Sequence, residues 1–284
     1  MPRFRKRFCS PASAPRALLF ALLLCLRLPL APSPPPPAGA AQAPASPPPA
    51  AAIEARLIAA FQNDQEALLH FQHLEHVVTG RDGAFDGRTL HVWYVHGHAV
   101  SETIALDHRA LSPKEIAAEH QRALIRARDA AQRPPAPAGV VVFDGQRYPF
   151  AKLADDYLYR DPQRRVWRGR EIWVYQAYPN PATASRSRAE SLLLHSQGVV
   201  WVDAADLHVI RIELHTTSPV RYGLGVLATI HSAGLELDLE RHSPGVWLPA
   251  HADFHLSATV LLVKSLLRSK QQTFSDYTPN GAGK

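Results

Sequence analysis

A stretch of alternating residues, 198–214, limits the possible folds of this chain more than any other feature. Its sequence is GVVWVDAADLHVIRIEL, with Val200 and Val202 on one side of an extended chain and Trp201 on the other. Residues 204–206 interrupt the alternation, and a second run then places Ile210, Ile212 and Leu214 together on one side. A period of two is typical of an antiparallel sheet with one face exposed to solvent. The stretch therefore predicts a β-hairpin within such a sheet.

The N-terminal 40 residues have the pattern of a secretory signal peptide. Four basic residues lie within residues 3–7, and the apolar run ALLFALLLCLRLPL follows at residues 17–30. Ala38, Gly39 and Ala40 provide the small residues of a cleavage site. We therefore expect cleavage near Ala40 and export to the periplasm. Residues 41–52 are rich in proline and alanine and are expected to form a linker.

The charge and the cysteines of the chain exclude several classes of function. Six of the 31 basic residues and none of the 25 acidic ones lie within residues 1–40, so the mature chain is neutral, with 25 of each. A neutral chain gives no indication of a nucleic-acid partner. Cys9 and Cys25 both lie in the predicted signal peptide, so the mature chain has no disulfide and no cysteine-based zinc site.

The remainder of the chain reads as one domain over residues 53–278 with a flexible tail at 279–284. Residues 53–69 carry apolar side chains at helical spacing, which predicts an N-terminal helix that packs on the sheet. Residues 112–132 begin with SPKE, in which Ser112 and Glu115 can form a capping box with proline at the first helical position. This predicts a helical insert within a set of short antiparallel strands.

Fifteen histidines are the obvious candidates for a metal site or a catalytic site. His251, Asp253 and His255 share one strand face, and His96 or His98 could complete a zinc site of a periplasmic hydrolase. Nothing in the sequence brings the two groups together, and histidines on a solvent-exposed strand face are the more common explanation. Neither G-x-S-x-G nor H-E-x-x-H occurs. We therefore expect a non-enzymatic protein without metal or cofactor.

The aromatic residues of the predicted strands allow two interpretations. Trp173 and Tyr175 share one strand face, and Trp93, Trp201 and Phe254 also lie on predicted strands. An ordinary buried core is the more common outcome of such a pattern. The alternative is an apolar groove on the concave face of a curled sheet, of a size to accept acyl chains.

Four segments resemble a known family of exported proteins. They are REIWVYQAYPNP, GVVWVDAADLHVIRIE, VWLPAHADF and TFSDYTP. Together with the N-terminal helix, they resemble the outer-membrane lipoprotein-sorting (LolA/LolB-like) superfamily, in its uncharacterised bacterial branch, over residues 53–278. The resemblance implies an open, curled half-barrel of about eleven antiparallel strands, covered by the N-terminal helix. It also implies a concave cavity that carries lipid or the acyl chains of lipoproteins. The helix at 112–132 is additional to the short carriers of that family, and no membrane-inserting loop can be matched.

The resemblance favours the groove over the plain core, and the expected function is a hydrophobic-ligand carrier of the cell envelope. Its partners would be lipid or acyl chains and, transiently, a membrane or an envelope protein. The residues expected to line the cavity are Trp93, Trp173, Tyr175, Trp201, Ile212, Leu237 and Phe254. Two alternatives stay open, namely the metal-dependent hydrolase and an envelope-assembly partner without a cavity.

Overall fold

The computed structural model describes residues 46–47, 49–137, 139–143, 146–183, 188–261 and 263–280. The predicted signal peptide and half of the predicted linker, residues 41–45 and 48, lie outside these residues. Within them the chain is mainly antiparallel β-structure with four helices. The strands are β1 (Phe71–Arg81), β2 (Ala84–Val95), β3 (His98–Leu106), β4 (Val140–Phe143), β5 (Gln146–Pro149), β6 (Tyr157–Trp167), β7 (Arg170–Pro179), β8 (Ser196–Asp203), β9 (Val209–Thr216), β10 (Val220–Tyr222), β11 (Ala228–Ser243), β12 (Val246–Val260) and β13 (Lys264–Pro279).

Eleven strands form a single sheet in the order β3-β2-β1-β13-β12-β11-β9-β8-β7-β6, and β10 pairs with β11. All of the pairings are antiparallel. β3 and β6 are the two ends of the order and do not pair with each other, so the sheet curls without closing. The predicted fold, an open half-barrel of about eleven antiparallel strands, is confirmed.

The described helices are α1 (Ala50–Leu68), α2 (Pro113–Ala131), α3 (Phe150–Asp155) and α4 (Arg188–Leu194). α1 begins directly after Pro49, so the last residues of the predicted linker belong to the helix. Its buried residues Ile53 and Leu57 pack against β6, β7 and β8. α1 therefore lies across the concave face, as its apolar spacing predicts. None of the helices described is long and apolar enough to cross a membrane.

α2 begins at the capping box that the sequence predicts. The Ser112 hydroxyl accepts a hydrogen bond from the Glu115 amide, and the Glu115 carboxylate accepts from the Ser112 amide. Because Ala123 and Ala130 are its only fully buried residues, the helix packs lightly against β3. Ile116 and Leu124 stay exposed.

The β8–β9 hairpin confirms the strand pair predicted from residues 198–214, with one change of register. Between Trp201 and Val202 the pairing shifts, so that Val202 lies opposite Val209 and Trp201 opposite Arg211. Ile210 is the unpaired residue of this bulge, and it packs with the buried Ile172 rather than with the cluster that Ile212 joins. A bulge inserts one residue and so reverses the alternation beyond it. Ile210 and Ile212 therefore lie on opposite faces of the sheet, and the prediction that they share one face is wrong.

Asp203 organises the turn of this hairpin. Its carboxylate accepts hydrogen bonds from the backbone amides of Ala205 and Asp206 at 2.9 and 3.0 Å. The guanidinium of Arg170 in β7 donates to the same carboxylate, which is almost fully buried. These bonds hold the pKa of Asp203 well below its usual range, against the opposing effect of burial. The turn is thus fastened to the neighbouring strand by a buried ion pair.

Candidate functional site

An apolar cavity lies on the concave face, between the sheet and its helices. Its volume is about 300 Å³. Helices α1, α3 and α4 cover the cavity, and its floor is formed by strands β6, β7, β8, β9, β11 and β12. Its lining is almost entirely apolar: Leu57, Phe61, Phe150, Ala154, Tyr157, Tyr159, Ala177, Leu192, Leu193, Ser196, Val200, Ile212, Leu214, Ala233, Gly234, Leu235, Leu237 and Phe254.

The three hydroxyl groups of the lining already have partners in the protein. Tyr157 donates to the Leu193 carbonyl at 2.8 Å, and Ser196 donates to the Leu192 carbonyl at 2.8 Å. Tyr159 donates to the Ala154 carbonyl at 3.4 Å. A bound molecule is therefore offered apolar surface and no polar group that lacks a partner, which suits a hydrocarbon and not a polar substrate.

A second compartment of about 160 Å³ continues the cavity beneath the C-terminal half of α1. The two compartments share Leu57, Phe61, Phe150, Ile212 and Leu237 in their linings. The rings of Phe61 and Phe150 stack with centroids 4.0 Å apart, which joins α1 to α3 above the cavity. The two compartments therefore adjoin each other beneath this aromatic pair.

A buried polar contact holds α1 to the hairpin turn of the sheet. The carboxylate oxygens of Asp64 lie 2.9 and 3.0 Å from Nε2 of His208, whose ring stacks on Trp247. Burial raises the pKa of Asp64, and the hydrogen bond from His208 opposes that rise. Gln65 adds a second attachment, since its amide donates to the Val140 carbonyl and accepts from the Gly139 amide. The position of the cover is thus fixed by specific bonds.

The other half of the concave face, on β1, β2 and β13, carries an aromatic cluster. His73 lies at its centre, with ring centroids 5.1 Å from Tyr277, 5.8 Å from Phe274 and 6.3 Å from Tyr94. Burial lowers the pKa of His73 to about 4, with a smaller contribution from the charge of His91. A further pocket of about 300 Å³ lies beside this cluster, bordered by Leu68, Tyr94 and His98, and its lining is more polar than that of the cavity over β6–β12.

Three of the seven residues predicted to line the cavity do so, namely Ile212, Leu237 and Phe254. Trp173 and Tyr175 share the concave face, as predicted, but they are 6% and 1% exposed. Both belong to the packed cluster beneath the N-terminal half of α1, together with Ile53 and Leu57. They support the floor next to the cavity and do not border it.

The remaining two, Trp93 and Trp201, lie on the opposite face of the sheet. Trp201 is paired with Val174 and Arg211, and its ring packs edge-on against Trp167 at 5.6 Å. Trp93 alternates with Tyr94 and contacts His91, so it points away from the His73 cluster. Alternation fixes which residues share a face, but it does not indicate which face of a curled sheet is concave.

The cavity also has residues that the strand pattern could not provide. Phe61, Phe150 and Leu192 enter from α1, α3 and α4, and Tyr157 and Tyr159 enter from β6. Of these, Phe61 could have been found from the sequence, because it belongs to the apolar side chains at helical spacing in residues 53–69 and is therefore predicted to face the sheet. α3 and α4 are too short for periodicity to show which side is covered.

The structure does not bring the candidate metal ligands together. Among the described residues, no group of three or more histidine, cysteine, aspartate or glutamate side chains could hold a metal ion. His251, Asp253 and His255 lie on β12, whereas His96 and His98 lie at the β2–β3 turn, with β13 and β1 between. Three strand spacings of about 4.8 Å separate the two groups. His98 is instead 2.9 Å from the Pro134 carbonyl.

No family model matches the chain, and no curated protein matches it. Among solved structures, the chain is similar to a domain described as an outer membrane lipoprotein-sorting protein from Vibrio parahaemolyticus, at 12% identity and a TM-score of 0.34, covering 81% of this chain and 95% of that one. It is also similar to a DUF1329 family protein from Desulfovibrio piger, at 11% identity and a TM-score of 0.35, covering 83% and 95%. A third is the MucA/MucB complex of Pseudomonas aeruginosa, at 8% identity and a TM-score of 0.24, covering 78% and 97%.

These similarities concern the fold, and they are too distant to indicate a ligand or an activity. The first of the three bears the name of the family that the sequence resembles.

Proposed function

We propose that this chain is a non-enzymatic binding protein of the periplasm that carries a lipid or the acyl chain of a lipoprotein in its concave cavity. The observation that supports this most directly is the apolar cleft beneath α1, whose hydroxyl groups are all satisfied within the protein. Export to the periplasm is proposed from the basic and apolar pattern of residues 1–40.

The size of the cleft fits such a ligand. The larger compartment, about 300 Å³, has about twice the ~150 Å³ of an apolar cavity that stays dry and binds benzene. The second compartment extends it along α1, and an elongated shape suits a chain better than a compact ring. Each methylene transferred from water into the cleft would contribute on the order of 0.8 kcal/mol.

The direct test is the binding of a neutral hydrophobic fluorescent dye, N-phenyl-1-naphthylamine, to the purified protein. Leu235 lines the cavity and is 41% exposed, so aspartate there places a charge at the cavity while remaining compatible with folding. We expect Leu235→Asp to weaken dye binding at least about tenfold, because the carboxylate must lose water or exclude the dye.

The matched control is Val166→Asp, which introduces the same charge at a 72% exposed position on β6 that does not border the cavity. Its dye affinity should equal that of the unsubstituted protein. Circular dichroism and the urea midpoint show whether both variants fold. Equal affinities in two folded variants would contradict the assignment of the cavity as the binding site, and no dye binding by the unsubstituted protein would contradict the proposal itself.

A further inference from the structure

Seven large apolar side chains are exposed at one end of the sheet. They come from the β10–β11 loop, the β12–β13 turn with the start of β13, and the β1–β2 hairpin. Their exposed fractions range from 50% to 99%: Phe85, Leu224, Val226, Leu227, Leu261, Val263 and Leu267. Isolated exposed apolar residues are ordinary, but a group on adjoining loops marks an interaction surface. We refer to these seven residues as the apolar tip.

Backbone pairing holds the segments of the apolar tip side by side. The amide of Leu261 donates to the Leu227 carbonyl at 3.1 Å, which joins the β12–β13 turn to the β10–β11 loop. The amide of Leu267 donates to the Asp82 carboxylate at 3.0 Å, and the Asp82 amide donates back to the Leu267 carbonyl at 3.1 Å. The β1–β2 turn is thereby attached to the same edge. The segments that carry the exposed side chains therefore adjoin one another at this end of the sheet.

The backbone directs two of the leucines into solvent. Leu224 lies between Gly223 and Gly225, and all three have positive φ, with 56° at the leucine. Leu261 also has a positive φ, of 51°. This conformation is unfavourable for a bulky side chain, and such positions tend to persist where function requires them. Leu224 is 99% exposed as a consequence of this turn.

The surroundings of the apolar tip are positively charged. Residues 217–235 and 254–275 contain no aspartate or glutamate, whereas they contain Arg221, Lys264, Arg268 and Lys270. The β1–β2 hairpin adds one cation, Arg81, which is paired at 3.7 Å with the carboxylate of Asp82. It also adds one further anion, the carboxylate of Asp86. The excess at this end is therefore cationic, although the mature chain as a whole is neutral. Apolar side chains surrounded by cations match a bilayer surface that carries anionic headgroups.

We propose that the apolar tip docks this protein onto the surface of an anionic phospholipid membrane, with Leu224, Val263 and their neighbours inserted among the headgroups. The inference rests on surface residues outside the cavity, and it goes beyond the proposed function. A connection between the two sites exists in the sheet, because β11 runs from Ala228 at the tip to Ala233 in the cavity lining. Five residues of strand span about 17 Å.

Apolar side chains line this route. Val220, Ala233 and Leu192 form a buried cluster with Ile230 and Leu256, and it lies between the apolar tip and the cavity. Ala233 and Leu192 also belong to the cavity lining. A docked molecule would thus present this side of the cavity toward the bilayer.

The test is flotation of the protein, secreted into the periplasm from the full chain, with vesicles of phosphatidylglycerol and phosphatidylethanolamine. Vesicles of phosphatidylcholine alone are the neutral comparison. We expect binding to the anionic vesicles that falls as salt is raised, and weak binding to the neutral ones. The double variant Leu224→Ser/Val263→Ser should bind anionic vesicles at least about tenfold more weakly. Lys264→Gln/Arg268→Gln should lose most of the salt dependence.

The matched control is Leu124→Ser/Ile125→Ser, which removes two exposed apolar side chains from α2. It should bind vesicles within about twofold of the unsubstituted protein. If the unsubstituted protein fails to float, or if Leu224→Ser/Val263→Ser floats as well as Leu124→Ser/Ile125→Ser, the proposal is wrong. A dimer in sedimentation that Leu224→Ser/Val263→Ser dissociates, without vesicle binding, would assign the apolar tip to self-association instead.

Failure of this inference is distinguishable from failure of the proposed function. The tip variants leave the cavity lining intact and should bind N-phenyl-1-naphthylamine normally. Leu235→Asp should lose the dye and still float with anionic vesicles.

Discussion

The aromatic cluster around His73 makes the stability of this protein sensitive to mild acid. The His73 side chain is almost fully buried among Tyr94, Phe274 and Tyr277, and its Nδ1 has no hydrogen-bond partner among the described residues. Burial lowers its pKa to about 4, compared with 6.5 for an ordinary histidine. The unfolded chain therefore binds a proton between these two values that the folded protein does not bind.

This difference in pKa between the folded and the unfolded chain determines the sign and the size of the pH effect on stability. The contribution of His73 to stability is fully present above pH 6.5 and is lost as the pH falls from 6.5 toward 4. For these two pKa values, proton linkage gives a loss of about 2 kcal/mol between pH 7 and pH 4.5. His73→Phe keeps an aromatic ring in the cluster and removes the titration, so its unfolding free energy should fall about 2 kcal/mol less over the same interval.

The measurement is urea denaturation of the two proteins at pH 7, 5.5 and 4.5, and other titrating groups cancel in the difference. His76→Phe is the control, because His76 lies on the other face of β1, partly exposed beside Thr89 and Asp107. The control should follow the unsubstituted protein. Parallel pH profiles for His73→Phe and the unsubstituted protein would refute the buried, uncharged state of His73.

Three further substitutions test the turn, the cover and the inserted helix. Asp203→Ala removes the buried partner of Arg170 and should lower the unfolding free energy by about 3 kcal/mol in urea titrations. Because the pKa of Asp203 is depressed, this difference should be fully present above about pH 4 and should decrease progressively as the pH falls further. Phe61→Ala removes the ring stacked on Phe150 and should cost about 2 kcal/mol and speed dye release in stopped-flow measurements. Ser112→Ala breaks the capping box and should cost about 1 kcal/mol, seen as faster hydrogen exchange in the first turn of α2, with dye binding unchanged. Unaltered exchange there would contradict the role of the cap.

The parts of the fold that depend on local chemistry could be predicted from the sequence. Alternation identified the β8–β9 hairpin, and the spacing of Ser112 and Glu115 located the start of α2. The bulge at Ile210 could not be foreseen, because nothing in the residue types there marks an unpaired position.

The candidate site was harder to predict than the fold. The structure places Ile212, Leu237 and Phe254 at the cavity, and all three were candidates because they are large apolar residues on predicted strands. Trp93 and Trp201 were equally good candidates by the same pattern, yet they face outward. Large aromatic side chains pack well on either face of a sheet, and the direction of its curl depends on the whole set of strands. The packing of Tyr94, Phe274 and Tyr277 around His73 also joins residues of three strands, which no local pattern shows.

The most direct test of the carrier proposal is native mass spectrometry of the protein purified without detergent from a bacterial periplasm. The proposal predicts adducts whose masses match phospholipids or fatty acids, extractable with organic solvent, and their loss in Leu235→Asp but not in Val166→Asp. A single ligand-free mass for folded protein, unchanged after incubation with phospholipid, would contradict the claim that the cleft beneath α1 holds lipid.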